Sequence, residues 1–97
     1  MTRLEIIANQ AIEEDIIEAL KQHGYGENFT YLAPVSGRGR HGRREGSAVW
    51  PEENVLFIVV IEDDQMAALV DALRKVKADF SGEGFRCYIQ QNVEKLI

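Results

Sequence analysis

Cysteine is almost missing from this sequence: Cys87 stands alone among 97 residues. A lone cysteine excludes an intramolecular disulfide framework. Long apolar runs are missing too, with nothing extended enough to cross a bilayer or to serve as a secretory core, so a reducing cytoplasm is the expected location. Histidine occurs only at His23 and His41, which leaves no Cys or His cluster for a dedicated metal centre. Length itself is short. Ninety-seven residues, 45% of them hydrophobic, make one domain over 1–97 at the size where burying enough surface is difficult, and oligomerisation is expected to help.

Positive charge is scarce outside one stretch. The net charge is −5, yet residues 36–46 carry four arginines against Glu45, a local +3, so the remainder sums to −8. That stretch belongs to "PVSGRGRHGRREGSAVWPEEN", Pro34 to Asn54, which contains almost nothing able to build a core.

The segments around it have clear periods. "RLEIIAN" (Arg3 to Asn9) alternates Leu4, Ile6 and Ala8 against Arg3, Glu5 and Ile7, the period of a strand. "IEEDIIEALKQHG" places Ile12, Ile16, Ile17 and Leu20 on one helical face, with Glu13, Glu14 and Asp15 at the positive end of the dipole and Gly24 as the stop. "FTYLAPV" (Phe29 to Val35) and "NVLFIVVIE" (Asn54 to Glu62) read as strands two and three. Met66, Leu69, Val70, Leu73 and Val76 then recur at helical spacing, and "FRCYIQ" (Phe85 to Gln90) is a fourth strand. The tail "QNVEKLI" is too short to assign.

The resulting order fits an α+β fold, the ferredoxin-like βαββαβ sandwich, with two helices on one face of a four-stranded antiparallel sheet and a long loop, about 34–53, between strands two and three. Strand three conflicts with a monomer. Val55 through Ile61 are apolar on both faces, so the face opposite the helices needs a cover that this chain does not contain.

A connection this long without secondary structure is either functional or disordered. Gly37, Gly39, Gly42 and Gly46 let backbone approach a ligand closely, while Arg38, Arg40, Arg43 and Arg44 offer forked donors to phosphate or carboxylate. A solvated loop whose arginines only maintain solubility is the plain alternative. With four glycines and no apolar anchor, residues 36–47 are expected to be mobile without ligand. Trp50, before Pro51, suits packing at the loop base or anchoring a partner. "SGEGF" (Ser81 to Phe85) could form a small anion nest or simply a tight turn.

Other chemistries have less support. A nucleophile would have to be Cys87 with His23 or His41, and Cys87 lies inside an expected strand, where inert thiols are common, so no enzyme is read here. An Arg/Gly-loop RNA-binding module is an alternative. However, "VLFIVVI" lacks the basic-aromatic pattern of RNA-binding sheets, and overall acidity also argues against nucleic acid.

Taken together, the βαββαβ order, the long loop entered by "SGRGR", the Gly-acidic-Gly turn "GEG" before the last strand and the short tail resemble the PII signalling superfamily over nearly the whole chain. The resemblance implies a cytoplasmic homotrimer whose sheets line a central barrel, and a role in signalling such as nitrogen regulation. It also implies a small anionic effector, in the best-known members an adenine nucleotide, held in clefts between subunits. The long loop, in the position of the family's T-loop, would dock onto a partner protein such as a membrane transporter or an enzyme. Carried over by position, Gly37, Arg38, Gly39 and Arg40 would form one wall of the cleft, and Gly82, Glu83, Gly84 and Arg86 the other. Arg43, Arg44 and Trp50 would face the partner. A metal-binding trimer like the CutA proteins, which share this fold, is the neighbouring alternative; it could gather three copies of His41. Three departures point to a ligand other than the familiar one. Phe85 stands where nucleotide-sensing members carry a basic residue, no tyrosine lies between Pro34 and Asn54, and Lys95 is the tail's one cation.

Overall fold

The computed structural model describes residues 1–37 and 53–97. Within them the order is β1 (Thr2–Asn9), α1 (Glu13–Gln22), β2 (Thr30–Val35), β3 (Asn54–Ile61), α2 (Met66–Asp79) and β4 (Phe85–Gln90). Short 3-10 turns at Gln10–Ile12 and Asp63–Gln65 lead into the helices. The four strands make one antiparallel sheet in the order β2-β3-β1-β4, the ferredoxin-like arrangement expected from the sequence. Strand boundaries differ by one residue at three places: β1 starts at Thr2, β2 at Thr30, and β3 stops at Ile61.

Period-two alternation decides which way each strand faces. Leu4, Ile6 and Ala8 of β1 and Val55, Phe57, Val59 and Ile61 of β3 are buried toward the helices. In register, Leu4 opposes Val59, Ile6 opposes Phe57 and Ala8 opposes Val55, so the two central strands form the floor of the core. Ile12 of the Gln10–Ile12 turn and Ile16, Ala19 and Leu20 of α1 descend on it, with Leu69 and Leu73 from α2. Met66, Val70 and Val76 are only partly buried, so α2 presses on the sheet along a narrower stripe than its pattern suggests. Gly24 ends α1 with φ +84, a conformation that glycine adopts without a Cβ penalty.

Among the described residues nothing covers the opposite face. Leu56 and Ile58 are half-buried, Val60 is 42% exposed, and Leu32 on the neighbouring β2 is 55% exposed. Ile7 of β1 pairs with Leu56, which makes the patch continuous across three strands.

Candidate functional site

The loop base and the Gly-acidic-Gly turn meet at one end of this sheet because of the antiparallel register. β1 ends at Asn9, whose N–H donates to Gly84 O at 2.9 Å. The next residue, Gln10, donates its N–H to Glu53 O at 2.9 Å. The end of β1 is thereby bonded on one side to the turn before β4 and on the other to the residue where the chain re-enters β3. Asn54 is paired with both Asn9 and Val35, so β2, β3 and β1 terminate in one row. Gly37 lies two residues beyond that row, and a Cβ placed on it would sit 3.5 Å from Asn54 Nδ2. The asparagine amide therefore borders the loop base.

Within one subunit Gly37 and Gly84 still lie on opposite sides of β3 and β1. Three strand spacings of about 4.8 Å amount to roughly 14 Å. Within one subunit the loop base and the turn are thus two separate surfaces at the same end of the sheet, not joined in one pocket among the described residues.

The turn itself is open. A Cβ on Gly82 or Gly84 would meet nothing within 4 Å, which leaves room for a ligand against the backbone. One of its donors is already used: the Glu83 N–H bonds to Phe80 O at 2.9 Å and finishes α2. An anion at this turn would therefore rely on the Gly82 and Gly84 N–H groups, a smaller nest than the sequence suggests.

The two residues after the turn part company. Phe85 pairs with Ala8 and is buried at 7% under the helices, while Arg86 pairs with Ile7 and is exposed on the uncovered face. The aromatic ring at position 85 belongs to the core. The register places Arg86 on the sheet face opposite the helices, one residue beyond Phe85.

Arg38, Gly39, Arg40, Arg43, Arg44 and Trp50, together with His41, lie outside the described residues. Asn9 and Asn54 read in the sequence only as strand ends, and Gln10, which joins them in the row, carries no sequence signal of its own. A local signal was present, since an asparagine closing a strand before a helix reads as a cap, and Asn9 Oδ1 accepts the Ala11 N–H at 2.9 Å. Gln10 Oε1 and Glu13 Oε1 are buried without a hydrogen-bond partner among the described residues.

Cys87 is half-buried on the helix side of β4, and burial pushes its thiol above the ordinary value, away from the thiolate needed for nucleophilic work. Among the described residues no group of three or more His, Cys, Asp or Glu could hold a metal ion. No helix among them is long and apolar enough to cross a membrane.

The family model for the nitrogen regulatory protein P-II matches residues 1–94, and the chain belongs to that family. Its members are generally non-catalytic signalling proteins that form trimers and bind small effectors. No curated protein sequence matches the chain. Among solved structures, CPII from Thiomonas intermedia K12, a nitrogen regulatory PII-like protein bound to ADP, AMP and bicarbonate, is similar at TM-score 0.72 and 22% identity. That match covers 92% of this chain and 82% of CPII. CPII bound to ADP and bicarbonate gives TM-score 0.71 and 21% identity with the same coverage. A chain from Thermus thermophilus described as PII-like signaling gives TM-score 0.64 and 18% identity, covering 92% of this chain and 83% of that one. At these identities the likeness establishes the shared fold.

Proposed function

We propose that the chain is a non-catalytic, cytoplasmic PII-like regulator that assembles as a homotrimer and binds a small anionic effector between subunits, with an adenine nucleotide as the first candidate. Gly37, Arg38, Gly39 and Arg40 contribute one wall, and Gly82, Glu83 and Gly84 the other. The observation that carries this reading is the single row of strand ends that holds Gly37 and Gly84 at the same end of the sheet. Because roughly 14 Å separates the two half-sites within a subunit, closure is assigned to a neighbouring copy.

Charge explains why the loop's arginines matter here. Glu53 and Glu83 flank the two half-sites, and Glu13, Glu14 and Asp15 open α1 immediately after the Gln10–Ile12 turn. An anion approaching this end meets carboxylates unless guanidinium groups offset them. With Phe85 committed to the core, that offset falls to Arg38 and Arg40. Effector binding at the loop base then changes the surface that Arg43, Arg44 and Trp50 present to a partner protein, an enzyme or a transporter, provided the effector binds the two loop states with different affinity.

A thermal-shift panel of ADP, AMP, ATP, bicarbonate and acetate tests this. A ligand that binds only the folded state, at about 100 times its Kd, adds roughly 2.7 kcal/mol. For a domain of this size that is on the order of 10 °C in Tm. Stabilisation by an adenine nucleotide that is lost in Arg38→Ala supports the reading. Indifference to every anion in the panel would refute it.

A further inference from the structure

A groove of about 570 Å³ runs between α2 and β4, lined by Met66, Ala67, Val70 and Ile89, with Asp71 and Arg74 at its rim. It exists because α2 leaves the outer end of β4 bare: Ile89 points to the helix side of the sheet yet is 45% exposed. It lies apart from the row of strand ends that forms the candidate effector site.

The chain also carries an apolar segment without a seat. After β4 the backbone turns at Asn92, with φ 60, and the Val93 N–H donates to Met1 O at 3.0 Å. This bond carries the tail across the start of β1 rather than back along β4. Beyond it Leu96 is 87% exposed and Ile97 wholly exposed. Gln91 Nε2 donates to Sδ of Met66, a lining residue, at 3.8 Å, and the tail beyond it leaves the subunit's own groove open among the described residues.

We propose that the groove receives the Glu94–Ile97 segment of a neighbouring copy, beyond the Val93–Met1 bond that fixes the tail's root. Dimensions and charge agree. From Met66 to Arg74 the helix rises roughly 12 Å at about 1.5 Å per residue. The extended segment Glu94–Ile97 spans roughly 13 Å at about 3.3 Å per residue. In extended backbone Glu94 and Leu96 share a side about 6.6 Å apart, close to the roughly 6 Å between Val70 and Arg74 on the helix. With Leu96 between Met66, Val70 and Ile89, Glu94 arrives at Arg74, which has no salt-bridge partner among the described residues. This docking goes beyond the effector reading and does not depend on it.

Two variants in a Cys87→Ala background test it: chains bearing Ala67→Cys and differently tagged chains bearing Leu96→Cys, co-expressed. The inference expects a disulfide joining the two kinds of chain under mild oxidation. A trimer without that cross-link refutes the inference while leaving the sheet-face assembly intact. In a third chain carrying both Ala67→Cys and Leu96→Cys, a cross-link formed only within the chain also refutes it, by seating the tail in its own groove. Leu96→Glu should raise the concentration at which the assembly dissociates by roughly tenfold to a hundredfold, with unchanged helical circular dichroism, and an unchanged dissociation concentration would overturn the inference.

Discussion

Replacing Ile58 with Glu separates subunit folding from assembly, because β3 exposes its two faces so unequally. Val59 is fully buried under the helices, whereas Ile58 lies half-buried on the face that no part of the described chain covers. In the isolated subunit a carboxylate at position 58 keeps access to water and costs little. In the proposed trimer it loses that water, and its cross-strand neighbour is Glu5, a second carboxylate. Completing the burial of a half-covered isoleucine contributes roughly 1.5 kcal/mol per copy. Three copies give about 4–5 kcal/mol, on the order of a thousandfold in the assembly constant, before the several kcal/mol for each desolvated charge are counted. Light scattering at micromolar protein should show a trimer for the wild type and a monomer for Ile58→Glu, with retained far-ultraviolet circular dichroism. Val59→Glu should instead lose the fold. An Ile58→Glu protein with wild-type mass and stability would refute the argument that this face is the interface.

Other expectations follow from single residues. Burial raises the Cys87 thiol, so a disulfide reagent should react slowly with native protein at neutral pH and rapidly after denaturation. Thr2 Oγ1 donates to Asp63 Oδ1 at 2.7 Å, and this bond, aided by the nearby N-terminal ammonium, holds the Asp63 carboxyl below its ordinary 3.8. A depressed carboxyl stabilises the fold above the unfolded value, and the contribution is lost as pH falls from about 3.8 through the folded value. In Thr2→Val, nuclear magnetic resonance titration should therefore find Asp63 moved back up toward 3.8. Gly24→Ala forces a Cβ into φ +84 and should cost about 1 kcal/mol in a denaturant midpoint experiment. Hydrogen exchange over residues 36–50 should gain protection with a saturating effector, and unchanged protection would end the switch reading.

Most of the fold was legible because apolar spacing and secondary structure share a period. Leu4, Ile6 and Ala8 alternate in sequence and alternate in burial, and in the two-sided apolar run Val55–Ile61 the residues facing away from the helices stay half-buried or exposed among the described residues. Spacing could not show how far each helix reaches across the sheet. Met66, Val70 and Val76 fit the α2 stripe yet stay partly exposed, and at Met66 and Val70 that shortfall opens the groove beside Ile89. The site was legible only as pieces. Gly37 and Gly84 lie far apart along the chain, and only the pairing of Asn54 with Asn9 and Val35 shows that they share an end. Register also decides what a motif cannot: one step along β4 sends Phe85 into the core and Arg86 to the opposite face.

The central claim is that an anionic effector is held at the loop base by guanidinium groups, and calorimetric titration of ADP, with and without bicarbonate, into wild type and Arg38→Ala tests it most directly. A charge-assisted hydrogen bond to the anion contributes roughly 1.5–3 kcal/mol. The account predicts saturable binding that weakens about tenfold to a hundredfold in Arg38→Ala while the oligomeric mass stays the same. Absence of binding to the wild type, or equal affinity in the two proteins, would contradict it.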